Sequence, residues 1–171
     1  EGGVSATPAA AAPAPAAPRP AGASLFDRAQ RLKAAGTPVA QIWPVARRFD
    51  DPVPSEAPPG SLDLVTLMFN YHDLGHLGVD RAGMNAAIFR ALKSGGAYVI
   101  ADHAGRPGTG ISESGTLHRI EEAFLKREVE AAGFRLVAEG QFLRNPNDPR
   151  DKNTPEPPQP KDEFVLKFVK P

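Results

Sequence analysis

The chain has 171 residues, 20 basic and 20 acidic, giving a formal net charge of zero, and it contains no cysteine. Such a length predicts one domain with a real core. The charge balance gives bulk electrostatics no hold on nucleic acid or an anionic membrane, so neither partner is expected. The lack of cysteine excludes disulfides, thiolate metal sites and cysteine nucleophiles, and no apolar run approaches the roughly 20 residues that span a bilayer. The sequence opens on Glu1 with no basic and apolar leader, so any targeting peptide is expected to be removed or to lie outside this sequence.

Residues 1–23 hold ten alanines and five prolines with almost no large apolar side chain. Burial cannot offset their ordering entropy, and the prolines interrupt a helix, so the segment reads as a disordered Ala/Pro-rich tail or linker preceding a domain over 24–171. It suits the region behind a bacterial export signal as well as an interdomain linker, which leaves cytoplasm and periplasm both open.

Beyond it, "SLFDRAQRLKAAG" predicts a short amphipathic helix capped by Ser24 and stopped by Gly36. "VAQIW" (39–43) reads as a strand ended by Pro44, followed by a proline-rich loop. "LDLVTLMF" (62–69) is a continuous apolar run of the kind expected from a strand buried on both faces. "DRAGMNAAIFRALKSGG" predicts a helix capped by Asp80, with Met84, Ile88, Ala91 and Leu92 at helical spacing and Gly95 as its stop. Strand 97–102, helix 116–133, strand 134–142, a long polar loop and strand 163–169 complete the chain.

This alternation defines an α/β fold with helices as crossovers, and in such sheets ligands bind outside the carboxyl ends of the parallel strands. The most polar stretch, "NYHDLGH" (70–76), directly follows one strand, and Asp102 and His103 follow the next. Imidazoles titrate near neutral pH, so His72 and His103 are candidate bases, with Asp73 or Asp102 to orient an imidazole or meet a cationic acceptor. His72 and His76 are four apart, as in helical zinc motifs, but Gly75 and Gly78 disfavour a helix there. A zinc site would need a third ligand from Asp102 or His103, no metal ligand is assigned, and His76 reads as a loop residue. His118 reads as structural, and Glu122 with Lys126 as a solvated i, i+4 pair. The loop "LRNPNDPRDKN" brings Arg144, Asn145 and Arg150 to the strand edge, either as a solvated connection or as a substrate-facing lid.

The segment from Phe49 to Pro171 resembles the C-terminal two-thirds of class I S-adenosylmethionine-dependent methyltransferases, and within them a bacterial group of predicted methyltransferases. The resemblance rests on "LDLVTLMFNYHDL", "IFRALKSGGAYVIADH", "DHAGRPGTG", "LHRIEEAFLKREVEAAGF", "LRNPNDPRDKN" and "DEFVLKFVKP". It implies a Rossmann-like methyltransferase sheet, mostly parallel with an antiparallel last strand, and methyl transfer from S-adenosylmethionine to a small-molecule acceptor by in-line displacement. It further implies that Phe49, Asp50 and Asp51 lie at the adenine, and Asn70 and Tyr71 at the cofactor's methionine end. Tyr71 equally suits a core aromatic and Asp51-Pro52 a turn. The family's glycine-rich first βα unit is not found in this sequence, so the sheet is expected to be incomplete at its N-terminus. Two further readings stay open beside methyl transfer: a non-catalytic methyltransferase-like binding domain, and a periplasmic metal-binding protein. The acceptor atom and the oligomeric state are not legible.

Overall fold

The computed structural model describes residues 21–38, 43 and 45–171. The tail over 1–20, and the predicted strand 39–43 except for Trp43, lie outside the described residues. The chain divides into two compact units, Glu1–Ala46 and Arg47–Pro171.

In the first unit, helix α1 (Ala21–Ala34) starts three residues before the predicted Ser24 cap, as good helix formers such as Ala21 and Ala23 permit. It ends as expected. Gly36 takes φ 73°, and the amides of Gly36 and Thr37 donate back to the Lys33 and Leu32 carbonyls at 3.0 and 2.9 Å, a closure that needs the left-handed conformation glycine tolerates.

The second unit carries strand β1 (Leu62–Met68), a single helical turn α2 (Asp73–His76), helix α3 (Arg81–Ala91), strand β2 (Leu92–His103), helix α4 (Glu122–Ala131), and strands β3 (Arg135–Gly140) and β4 (Glu163–Val169). The strands form one sheet in the order β1-β2-β4-β3. β1 and β2 are parallel, while β4 runs antiparallel to both of its neighbours, β2 and β3. The fold is therefore the expected Rossmann-like sheet with an antiparallel last strand, inserted between the two strands that precede it.

Local chemistry accounts for most of these elements. Asp80 caps α3, its carboxylate accepting from the Gly83 amide at 2.9 Å, and Met84, Ile88 and Ala91 are buried in the core. The helix ends four residues before the predicted Gly95. Leu92 is already extended and pairs with Leu62, while the Gly60 and Ser61 amides take up the Arg90 and Ala91 carbonyls. Long-range pairing here outweighs the helical spacing of Leu92.

Two expectations are corrected by packing. Strand β1 is not buried on both faces: Val65 and Leu67 join the core, but Leu64 on the opposite face is 55% exposed. β1 is an edge strand, and α3 and α4 pack only where Tyr98, Ile100, Phe164, Leu166 and Phe168 are buried. The second correction concerns the helix predicted from residue 116. Residues 116–121 are instead turn and extended chain, because Ile120 bridges Ala104 beside β2 and Arg119 is drawn into a buried ion pair.

That pair anchors the long β3–β4 loop. The Arg119 side chain is 0% exposed, with Nη1 2.9 Å from Asp148 Oδ2. Its other donors reach the Ala104 carbonyl at 3.0 Å and the Lys152 carbonyl at 3.0–3.1 Å. Asp148 in turn accepts from the Asp162 and Arg150 amides. A buried guanidinium is tolerable only with such complete pairing. Replacing Arg119 with Ala is expected to cost about 3–5 kcal/mol, read by urea denaturation, because Asp148 would stay buried without its cation.

Candidate functional site

The carboxyl ends of β1 and β2 lie side by side, with Met68 in register with Ala101. Phe69 leaves β1 with φ 57°, a conformation that costs a bulky L-residue of order 1–3 kcal/mol and that surrounding contacts must hold. The bend brings Tyr71 and His72 inward. Asp102, at the end of β2, is 0% exposed. Its carboxylate accepts from the backbone amides of His72 and His103, both at 2.8 Å, and meets His72 Nδ1 at 2.5 Å. A carboxylate only accepts, so Nδ1 carries the hydrogen and the His72 ring is fixed with Nε2 turned the other way. Nε2 faces Asp73 Oδ1 at 3.1 Å.

The third wall is the loop after β2. Gly105 lets it return: its amide donates to the Ile120 carbonyl at 2.7 Å, and a Cβ there would stand 2.9 Å from the Ile120 carbonyl carbon. Ser114 accepts from the His76 amide at 2.9 Å and donates to the His72 carbonyl. His118, with φ 51°, sets Nδ1 2.9 Å from Asp73 Oδ1. All four histidines of the chain thus meet in one place. Ring centroids are 5.3 Å apart for His72 and His103, and 5.7 Å for His72–His118 and His76–His118.

The electrostatics separate the two carboxyl-edge histidines. Burial and the nearby Lys161 ammonium push the His103 imidazole down to about 4, so it is neutral at physiological pH, 2.9 Å from Glu163 but with Nδ1 making no hydrogen bond. Glu163 is raised, mainly by burial. For Asp73, burial works upward, but hydrogen bonds from His118 and Asn70 and the charge of His72 outweigh it and hold the carboxyl below its usual range.

Of the predicted residues, His72, Asp73, Asp102 and His103 are brought together, and Asn70 is exposed beside them, bonded to Asp73. Tyr71 is corrected from a cofactor contact to a core residue: it is fully buried, its hydroxyl donating to Glu128 at 3.1 Å and accepting from Asn85 at 2.8 Å. Its phenol is raised by burial and by the Glu128 charge. Phe49 and Asp50 line a shallow cleft of about 250 Å³ with Leu77, Gly78 and Val79, a cleft that none of the histidines lines. Asp50 is paired with Arg48 at 2.7 Å, and Asp51 with Arg47. In the β3–β4 loop, Arg144 pairs with Glu122, Arg150 lies 2.5 Å from Asp162, and Asn145 donates to the Pro160 carbonyl at 2.6 Å. Their polar groups are occupied within the fold.

His76 sits at the end of the helical turn that its flanking glycines were expected to prevent. Ser114 and His118 were missed as site residues. A local signal existed for the first, since the glycine-rich stretch "AGRPGTGISESG" marks a loop following a strand. None existed for His118, which helical spacing places on an outer face.

The sheet and its loaded carboxyl edge define a Rossmann-like α/β architecture. No family model and no curated protein matches the chain. Solved structures do. A SAM-dependent methyltransferase from Aquifex aeolicus superposes with a TM-score of 0.52 at 14% identity, over 83% of this chain and 61% of its own length. An S-adenosylmethionine-dependent methyltransferase from Mesorhizobium loti gives 0.52 at 16% identity, over 85% of this chain and 76% of its own. The cyclase SpnF gives 0.51 at 15%, over 84% and 60%. The chain thus spans about three-fifths of the Aquifex protein and of the cyclase. The likeness is one of fold: the chain has the Rossmann-like sheet of these methyltransferases. Among the described residues, no helix is long and apolar enough to cross a membrane.

The depressed His103 fixes the sign of a pH effect. Its folded value of about 4 lies below its unfolded value near 6.5, so between these the unfolded state binds more protons and stability falls as pH falls. Glu163, raised on folding, contributes in the opposite sense, losing stability as pH rises through its folded value. Subtracting the denaturation free energies of His103→Asn from those of the unaltered protein is expected to leave a difference that is flat above pH 6.5 and declines toward pH 4.

Proposed function

We propose that this protein catalyses S-adenosylmethionine-dependent methyl transfer to a small-molecule acceptor by in-line displacement. The observation that carries the reading is the His72–Asp102 pair at the adjoining carboxyl ends of two parallel strands, in a sheet of methyltransferase type. The donor, when bound, supplies an electrophilic methyl group on a sulfonium. The residues present fit its purine end: the exposed Phe49 ring offers a stacking face, Leu77 and Val79 an apolar wall, and the Asp50 carboxylate an acceptor for an exocyclic amine. Asp51, paired with Arg47, supports that loop.

At the acceptor side, His72 Nε2 takes the proton of a hydroxyl or amine as its heteroatom gains the methyl group. Asp102 acts through His72 as a positioning residue, keeping the hydrogen on Nδ1 and compensating the imidazolium that forms. Asp73 lies at the mouth with the more exposed His118, and the acceptor reaches Nε2 by displacing the Asp73 carboxylate. His103, neutral and packed between the rings of Phe69 and His72, shapes the floor. Asn70 borders the donor's amino-acid end. Arg144, Asn145 and Arg150 hold the β3–β4 loop in place beside the site.

The test combines binding and turnover. Titration with S-adenosylmethionine is expected to show saturable binding that Phe49→Ala weakens. With a panel of hydroxyl and amine acceptors, formation of S-adenosylhomocysteine is expected to fall by about 10²–10⁴-fold in His72→Asn, with donor affinity unchanged. Donor binding without turnover on any acceptor would instead make this a binding domain, and equal turnover in His72→Asn would remove the base assignment.

A further inference from the structure

We propose that His72, Asp73 and His118 form a binding site for a divalent transition metal of the zinc class. One ligand atom from each lies within 4.8 Å of the others: His72 Nε2 is 3.1 Å and His118 Nδ1 2.9 Å from Asp73 Oδ1. His76 Nδ1, 4.0 Å from the same oxygen, stands next in line. A tetrahedral ion bound at about 2.0–2.1 Å separates its ligand atoms by about 3.3 Å, so the two Asp73 distances need to widen by only a few tenths of an ångström, while the two imidazole nitrogens already lie within 4.8 Å of each other.

A second observation, independent of those distances, is what stands behind His72. The buried Asp102 carboxylate holds Nδ1 at 2.5 Å while itself fixed by two backbone amides. A carboxylate behind a histidine, setting the tautomer and aiming the far nitrogen, is the outer-shell arrangement that raises an imidazole's ligand strength. The His72 ring lies between two carboxylates, Asp73 and Asp102. A cation at Nε2 would lie against the Asp73 carboxylate, with Asp102 behind the ring. Entry is open, because the His118 side chain is 41% exposed and that of His76 37%. The donor set also selects the ion: two or three imidazoles with one carboxylate suit zinc or cobalt, whereas magnesium and calcium prefer oxygen shells. With neither cysteine nor a dense acidic cluster, the site has the composition of an exchangeable centre with an open position. Metal and acceptor proton compete for the same His72 nitrogen, so a bound ion opposes the proton transfer proposed above; the site itself does not depend on methyl transfer.

The test is a titration of the tag-free, chelator-stripped full chain with Zn²⁺ and with Co²⁺. The expected result is one ion per chain, proton release on binding in buffers of different ionisation enthalpy, and the strong visible absorption of four- or five-coordinate cobalt. His118→Asn, a part-exposed change that leaves the core untouched, is expected to weaken binding by more than about tenfold, and Asp102→Asn by about 10–100-fold. Circular dichroism and thermal melts confirm that each variant is folded; if Asp102→Asn is not, Asp73→Asn takes its place with the same expected loss. Binding of Mg²⁺ as tight as that of Zn²⁺, the same zinc affinity in His118→Asn, or no stoichiometric uptake would each overturn the proposal, whether or not the chain transfers methyl groups.

Discussion

The Asp102 carboxylate is the constraint around which the second unit is organised. It lies at the end of β2 with no solvent contact, where an isolated charge would cost several kcal/mol. Its three donors come from two places in the chain: the His72 amide and ring, after β1, and its neighbour His103. Satisfying that one charge therefore ties the exit of β1 to the end of β2, requires the sharp turn at Phe69, and sets the orientation of the ring that matters most. The same contacts that make the carboxylate tolerable make the imidazole rigid.

A second buried charge plays the complementary part on the outer wall. Arg119 sits in the return of the loop after β2, and its guanidinium joins that loop to the β3–β4 connection through Asp148 and the Lys152 carbonyl. His118, immediately before it, is thereby presented to Asp73. Asp102 fixes the inner half of the histidine cluster and Arg119 the outer half. Both are local anchors beside the sheet's carboxyl edge rather than parts of its hydrophobic core.

The fold alone leaves the chemistry open, as the likeness to a cyclase beside two methyltransferases illustrates. What particularises this chain is the gathering of its four histidines around Asp73 and Asp102. The cluster offers one buried nitrogen, His72 Nε2, held from behind and approached through part-exposed neighbours. The proposed proton acceptor and the proposed metal ligand are two uses of that single lone pair. His103 differs because burial and Lys161 keep it neutral, which suits packing between two rings better than proton transfer.

Much of this was legible in local sequence. The apolar runs became β1, β2 and β4, Asp80 became a cap, and "NYHDLGH" and Asp102-His103 fell at the strand ends where α/β sheets hold ligands, because strand and cap signals depend on near neighbours. The pieces decided only by tertiary structure are those where a distant partner overrode a local preference. Leu92 left its helix to pair with Leu62, residues 116–121 gave up helical spacing to the Ile120 bridge and the Arg119 ion pair, and β1 exposes one face because helices cover only the other. Tyr71 turned into the core, and His118 joined a site from 45 residues away. Sequence by itself determined that a polar, histidine-bearing edge would form on an α/β sheet. The tertiary structure alone decided which histidines meet there, because two buried charges, Asp102 and Arg119, could be satisfied only by bringing distant loops together.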